Sequence, residues 1–277
     1  MNDITSEATL EKLKNVISHS QLKELDLSFN NIGNAGAKVM ALAIHQISSL
    51  ESLNLTHCQI TAPGAIPIFQ TLAKNSRLRQ LILDKNFLEG KRLRILKEFM
   101  GSNSGLTLLS LNLCRLCEEG ASYLARGLGF NRNLKTLLLS GNAMKDLGLA
   151  AISDAVSKSS LPLVHLDVSN NIITDESAIP FAHAMTSNRY LEMVNMKGNQ
   201  IGPEGGNALR EAIGDHDSLV KFNLESNAVA VRDVEEIERH LRRNRDAKVK
   251  ERMPRYRGEL ETLIKTRKLV ELSDTLT

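Results

Sequence analysis

Leucine returns along this chain at an interval so regular that few architectures can use it. A leucine opening the pattern Leu-x-x-Leu-x-Leu, with Val, Phe or Met at some inner positions, stands at Leu22, Leu50, Leu78, Leu106, Leu134, Leu163, Leu191 and Leu219. The step is 28 residues, apart from one step of 29. The fullest copy reads Leu134-Lys-Thr-Leu137-Leu-Leu139-Ser-Gly-Asn142-Ala-Met144, followed by Asp146-Leu147-Gly148 and an apolar run at helical spacing to about residue 159. Each copy is too small to bury its own apolar face and gains a core only by stacking on its neighbours. Alternation around Leu-x-Leu predicts a short strand with leucines pointing inward, and the following run predicts a helix.

Over about Leu22 to Arg245 these motifs resemble the leucine-rich repeats of the ribonuclease-inhibitor-like class. The resemblance implies an α/β leucine-rich repeat horseshoe, a right-handed α/β solenoid with a parallel sheet on the concave face and helices on the convex face. Curvature follows from two spacings: parallel strands stack ~4.8 Å apart, whereas helices approach no closer than ~8–10 Å. Three segments are expected: an N-terminal helical half-repeat cap over 1–21, carrying Leu10, Leu13, Val16 and Ile17; eight repeats over 22–245; and a basic linker with a C-terminal amphipathic helix over 246–277, carrying Leu260, Leu263, Ile264 and Val270. Val234, Ile237 and Leu241 are expected on the inward face of the last repeat's helix.

Eight residues after each opening leucine stand Asn30, Cys58, Asn86, Cys114, Asn142, Asn171, Asn199 and Asn227. There the chain leaves the strand and its backbone groups lose their ladder partners. A buried Asn can donate and accept to them, while Cys fills the space with a weaker S–H donor. These eight are assigned a structural role, and losing Asn142 should cost ~1–3 kcal/mol through unsatisfied backbone groups. At offset fourteen Gly36, Gly64, Gly120, Gly148 and Gly205, with Arg92, Ser177 and Asp233 as exceptions, predict close packing of the helix start on its neighbour. Pro67 and Pro180, in matching Ala-Ile-Pro runs, are placed in the first helical turn, where a missing N–H is harmless.

Little in the chain points to chemistry. Aromatic residues make up 4% and Trp is absent, as an aliphatic stacked core requires. Cys114-Arg-Leu-Cys117 has redox or zinc spacing, but Cys114 occupies the repeat's Asn/Cys position and no second pair follows, so it is read as structural. Histidines are scattered, and no nucleophile elbow or Gly-rich nucleotide fingerprint stands apart from the repeat. The chain is therefore expected to be no enzyme, with no catalytic residue, metal, cofactor or small-molecule substrate. No secretory signal or apolar span is visible at the N-terminus or elsewhere, and three cysteines make no disulfide framework. These features predict a cytoplasmic protein without a membrane partner.

Two surfaces invite a protein partner. Most side chains at outward strand positions are polar, but Ile82, Leu108 and Leu138 form an apolar diagonal across repeats three to five, with Asp84, His165 and Met193 beside it. Exposed apolar groups with no role in the repeat suit a partner's landing site. The second surface is the stretch 242–257, with Arg242, Arg243, Arg245, Lys248, Lys250, Arg252, Arg255 and Arg257 against two acids, a net +6 in a chain of total +3. Its readings are a solvated end-cap, a dock for an acidic protein surface such as tubulin or actin, and last nucleic acid, which a single Tyr256 serves poorly. The chain is thus read as a non-catalytic scaffold binding a partner through the concave face, the basic tail or both, in a cytoskeletal, ciliary or other multi-subunit assembly. Two related repeat proteins supply alternatives. Ran-type GTPase-activating proteins carry an arginine-bearing early loop; the early loops here lack arginine, and Arg92 or Arg115 would substitute poorly. Tropomodulin, an actin-capping protein, carries a long N-terminal arm that this sequence lacks.

Overall fold

The computed structural model describes residues 21–46, 49–158 and 161–250, together with Lys12 and Asn15. Most of the expected N-terminal cap, including Leu10, Leu13, Val16 and Ile17, and the amphipathic segment at Leu260–Val270 lie outside those residues. Eight three-residue strands form one parallel sheet in strict chain order: β1 (Glu24–Asp26), β2 (Ser52–Asn54), β3 (Gln80–Ile82), β4 (Leu108–Ser110), β5 (Thr136–Leu138), β6 (His165–Asp167), β7 (Met193–Asn195) and β8 (Lys221–Asn223). Equivalent repeat positions pair throughout: Leu25 faces Leu53, Leu53 faces Leu81, and so on to Val194 against Phe222. Each crossover carries a helix: α1 (Gly33–Gln46), α2 (Ala62–Ala73), α3 (Ile95–Ser102), α4 (Cys117–Leu128), α5 (Lys145–Val156), α6 (Asp175–Ser187) and α7 (Pro203–Gly214). In the third crossover a 3-10 turn, Gly90–Arg92, precedes α3. Residues 231–250 form a last helix, α8. This is the expected horseshoe, with the sheet on its concave face.

The core is a single stack of aliphatic rungs: Leu53, Leu81, Leu109, Leu137 and Leu166 are fully buried, as are the following Leu55, Leu83, Leu111, Leu139 and Val168. Phe69 and Phe99 extend it between helices, their ring centroids 5.1 Å apart. Each fully buried side chain of this size contributes roughly 1.5–3 kcal/mol relative to exposure.

The small residues at offset fourteen are explained by contact. A Cβ on Gly120 would sit 2.7 Å from the Gly90 Cα, and one on Gly148 would lie 2.6 Å from the Met144 Cβ. The exceptions differ in kind. Gly90 takes over the close approach in the third repeat, leaving Arg92 exposed and paired with Glu89 at 3.1 Å. Ser177 donates to Asp146 Oδ1 at 2.6 Å, and Asp233 pairs with Arg210 at 3.1 Å.

Three expectations are corrected. Pro67 and Pro180 sit in the second turn, not the first, because α2 and α6 begin at Ala62 and Asp175, after Thr61 and Thr174 at their N-caps. The helices open where those threonines turn the chain, and Thr174 Oγ1 accepts the Glu176 N–H at 3.2 Å. Each proline removes one helical hydrogen bond, tolerable because Pro180 is exposed and Pro67 half-buried, so the freed carbonyl can turn outward. Val234 is 43% exposed rather than inward; the buried stripe of α8 is Asp233, Ile237, Leu241 and Asn244. Finally, α8 runs unbroken through residue 245 to 250, so the repeat's last helix and the start of the basic stretch are one element.

Candidate functional site

The eight structural Asn/Cys positions form a ladder just beyond the strands. Asn142 is 1% exposed; its Oδ1 accepts Cys114 N at 2.9 Å and Leu116 N at 3.2 Å from the preceding repeat. Its Nδ2 donates to Leu111 O at 2.8 Å and Leu139 O at 2.9 Å. Asn86, Asn171 and Asn199 repeat this bridge, and Asn30 and Asn227 close its ends. Cys58 and Cys114 donate through Sγ to Leu27 O and Leu83 O, each at 3.1 Å. Burial pushes the Cys114 thiol up to about 12 and the Cys58 thiol to about 11, which keeps both as protonated donors. Cys117 is exposed at the start of α4, so the Cys114–Cys117 pair is split between core and surface.

A second ladder, missed in the sequence, lies beyond the far ends of α2, α3, α4 and α6. Asn75, Asn103, Asn131 and Asn188 each stand three residues before an opening leucine. Asn103 Nδ2 donates to Leu72 O at 2.7 Å and Asn75 O at 2.9 Å, while its Oδ1 accepts Gly105 N and Leu106 N. His216 takes this place in the last repeat: Nδ1 accepts Leu219 N at 3.2 Å, and Nε2 faces the Asn188 carbonyl without closing a hydrogen bond. Burial holds its pKa below the ordinary histidine value, against the pull of that carbonyl. Asn244 of α8 completes the series, donating to His216 O at 2.6 Å and Leu219 O at 2.8 Å. The readable signal was Asn-x-x-Leu.

On the concave face the register redraws the apolar diagonal. Ile82 pairs with Ser110 and Ser110 with Leu138, while Leu108 stands two residues earlier on the strand of Ser110. The three aliphatic side chains therefore form a V around Ser110, all half-buried, with Ser110 itself 2% exposed. Ser110 Oγ donates to Asp84 Oδ1 at 2.6 Å; Asn112 N and Nδ2 donate to the same carboxylate at 2.8 and 3.1 Å. Asp84 is thus committed to the face's own network. His165 and Met193 are half-buried and paired in register, one strand away from Leu138 and two. Desolvation lowers the His165 pKa, with Asp167 opposing. Polar bridges continue along the face: Asn54 to Asp26 at 3.1 Å, Asn195 to Asp167 at 2.9 Å and Lys197 to Glu225 at 2.7 Å. Hydrogen bonding from the Ser28 side chain and N–H holds the Asp26 carboxyl below its usual value.

Much of the basic stretch is engaged by the chain itself. Arg243 donates to Gly214 O at 3.1 Å, Arg245 to Val220 O at 2.9 Å and to Glu238, and Lys248 pairs with Glu192 at 2.8 Å. These contacts seat α8 on the last two repeats. Arg242 and Lys250 remain exposed. Arg252, Arg255 and Arg257 lie outside the described residues. Among the described residues no group of three or more His, Cys, Asp or Glu side chains could hold a metal ion, and no helix is long and apolar enough to cross a membrane.

The Leucine Rich repeat family matches residues 19–41, 46–69, 130–153, 159–182 and 187–209. The chain is 31% identical over 199 residues to human NACHT, LRR and PYD domains-containing protein 13, covering 71% of this chain and 19% of that one. It is 28% identical over 204 residues to mouse ribonuclease inhibitor, covering 73% and 45%. With the repeat register, both Asn ladders and these matches in place, the chain belongs to the leucine-rich repeat proteins of the ribonuclease-inhibitor-like class. It spans less than half the length of either relative. A solved structure titled "Leiomodin-1 Actin-Binding Site 2 (ABS2)" superposes on 54% of this chain and 87% of its own, at 17% identity and a TM-score of 0.46, too distant to carry an argument.

Proposed function

We propose that this protein is a non-catalytic interaction scaffold that holds a protein partner on its concave face, through Ile82, Leu108 and Leu138, within a cytoskeletal or other large assembly. The repeat family and its relatives support the scaffold role in general. The observation that carries the specific site is the apolar V around Ser110: three half-buried aliphatic chains on a face otherwise bonded into a polar network. Their neighbours' hydrogen bonds are closed internally, so the patch offers burial of apolar surface rather than unpaired polar groups. At ~25 cal/mol per Å² such a patch suits the dry centre of an interface. Neither Arg92, paired with Glu89, nor Arg115, stacked on Phe87, favours the GTPase-activating reading.

Leu108→Asp with Leu138→Asp should leave thermal unfolding nearly unchanged, since both side chains point away from the core. The test compares partners retained from native cells by wild type and by this double variant, quantified by mass spectrometry. Retention of every wild-type partner by the variant refutes the concave site. Pelleting with actin filaments and with microtubules, before and after removal of residues 246–277, tests the cytoskeletal part.

A further inference from the structure

The loop that leaves each strand turns through a left-handed residue seven positions after the opening leucine. In order, these are Phe29 (φ 59°), His57 (53°), Lys85 (57°), Leu113 (56°), Gly141 (68°), Asn170 (56°), Gly198 (68°) and Ser226 (58°). Repeats five to seven fill it with Gly, Asn and Gly, the residues that adopt this region at least cost. Repeats one to four place Phe, His, Lys and Leu there, and all four side chains are exposed. Other loop positions also hold non-glycine residues left-handed, among them Gln59, Ala143 and Ile172, so the conformation belongs to the repeat's loop and the side chains at this offset decide what the loop displays.

These side chains, with Phe87 and Arg115, line one rim of the sheet, where two groups of them touch. The Phe29 and His57 rings lie 5.6 Å apart, and Lys85 Nζ lies 5.8 Å from the Phe29 ring centre. Two positions along the loop, Phe87 is covered by the Arg115 guanidinium at 4.5 Å. Phe29 is 50% exposed, Phe87 48% and Leu113 50%. Among the described residues neither Lys85 nor Arg115 forms an ion pair with a carboxylate. The nearest strand acids are spoken for: Asp84 accepts from Ser110 and Asn112, and Asp26 from Ser28 and Asn54. The rim's backbone donors are also used, with the N–H groups of Phe29, His57, Lys85 and Leu113 each bonded to the next repeat's carbonyl at 2.8 Å. What remains on offer is side chains: exposed phenyl and leucyl groups beside two cations without counter-ions.

We infer that this rim, over repeats one to four, is a docking site for an acidic peptide segment of a partner protein, with Asp/Glu meeting Lys85 and Arg115 and an apolar residue set among Phe29, Phe87 and Leu113. Four repeats at ~4.8 Å strand spacing offer about 15 Å, the reach of four to five extended residues. Charge complementarity selects the acidic partner. A peptide is favoured over single-stranded nucleic acid because both phenyl rings already carry a cation against them rather than standing clear for base stacking. This surface is separate from the apolar V on the sheet, and neither proposal rests on the other.

The test selects a random 16-residue peptide phage library on the immobilised full chain, then measures an enriched peptide, fluorescein-labelled, by anisotropy. Enriched sequences should carry at least two acidic residues around Phe, Leu or Trp. Lys85→Glu with Arg115→Glu should weaken binding about tenfold or more, while Leu108→Asp with Leu138→Asp leaves it unchanged. Lys85→Asn, which installs the residue type found at Asn170, should weaken the peptide while keeping or raising Tm. No enrichment, a neutral or basic consensus, or equal binding by the double-Glu variant overturns the proposal. So does loss of binding confined to the sheet variant, or tighter binding of a labelled 15-nucleotide oligouridine than of the peptide.

Discussion

Replacing Asn142 by alanine tests the physical basis of the stack. Five groups contact its amide, but not all would be stranded: Leu139 O also accepts Asn171 Nδ2 at 2.9 Å, Ser140 O also accepts Leu113 N at 2.8 Å, and both keep those bonds. Cys114 N–H, Leu116 N–H and Leu111 O lose their side-chain partner, in residues that are all fully buried. Each orphaned group costs ~1–3 kcal/mol. The space vacated by the amide is large enough and polar enough for one water, which would restore two of the three bonds at a cost in entropy. The net loss should therefore be about 3 kcal/mol, or roughly 6–12 °C in Tm for a chain of this size. Asn227→Ala provides the control. Its Nδ2 bonds to Met196 O and Leu224 O, each at 3.0 Å, and the Ile201 N–H bond its Oδ1 accepts at 3.1 Å are part-buried at the open end of the sheet, where water replaces them more readily, so about 1 kcal/mol is expected. Urea unfolding followed by far-ultraviolet circular dichroism measures both. Equal losses, or an unmoved midpoint for Asn142→Ala, would show that the ladder is not held by these bonds.

Three further outcomes follow from other positions. His216→Asn should restore the second ladder's amide and gain an advantage that grows from pH 8 to pH 5: the wild-type imidazole, its pKa lowered by burial, takes up a proton less readily in the fold than in the unfolded chain, which binds one below ~6.5; a pH-independent difference between the two midpoints would contradict this. Pro180→Ala should stabilise by about 1 kcal/mol by restoring the second-turn hydrogen bond, less what the freer unfolded chain takes back, and a lower Tm would show the proline is favourable there. Thiol titration with Ellman's reagent should find one fast thiol of three in the native state, Cys117, with Cys58 and Cys114 reacting only on unfolding.

What could be read without coordinates was whatever the 28-residue period carries on a side chain. Strand positions, rungs and the Asn/Cys ladder were legible because every copy restates them. The Asn-x-x-Leu ladder was less regular, with Ile47, Ser160 and His216 at three of its positions, and was placed where the leucine pattern had not yet begun, so it passed as loop polarity. Register turned the apolar diagonal into a V, because Leu108 sits two residues from the pairing that joins Ile82 to Leu138 through Ser110. The tail's charge was visible, but the engagement of Arg243, Arg245 and Lys248 by carbonyls and acids of the last two repeats depends on the path of α8, which composition does not encode. Left-handed backbone at Phe29, His57, Lys85 and Leu113 was hidden by the residues themselves; only Gly141, Asn170 and Gly198 at the same offset hinted at it.

The two ladders and the strained rim belong to one balance. Left-handed conformation at four bulky residues costs of order 1 kcal/mol or more each, a large sum against the usual 5–15 kcal/mol of net stability. It is carried in a solenoid because the residue after each is tied: Asn30 Nδ2 to Leu27 O after Phe29, Cys58 N–H to Asn86 Oδ1 after His57, Asn86 Nδ2 to Leu55 O and Leu83 O after Lys85, and Cys114 N–H to Asn142 Oδ1 after Leu113. A loop pinned one residue beyond its strained position cannot relax by swinging that residue to a commoner conformation without breaking a buried bond. The same pinning fixes where the exposed ring, imidazole, ammonium and leucyl groups stand, so little ordering entropy remains to be lost when something binds them. Loosening the ladder and weakening the rim should therefore go together: Asn86→Ala, remote from solvent and touching no exposed side chain, should weaken the selected acidic peptide as well as the fold. If it lowers Tm while leaving peptide affinity untouched, rigidity beneath the rim contributes nothing to recognition.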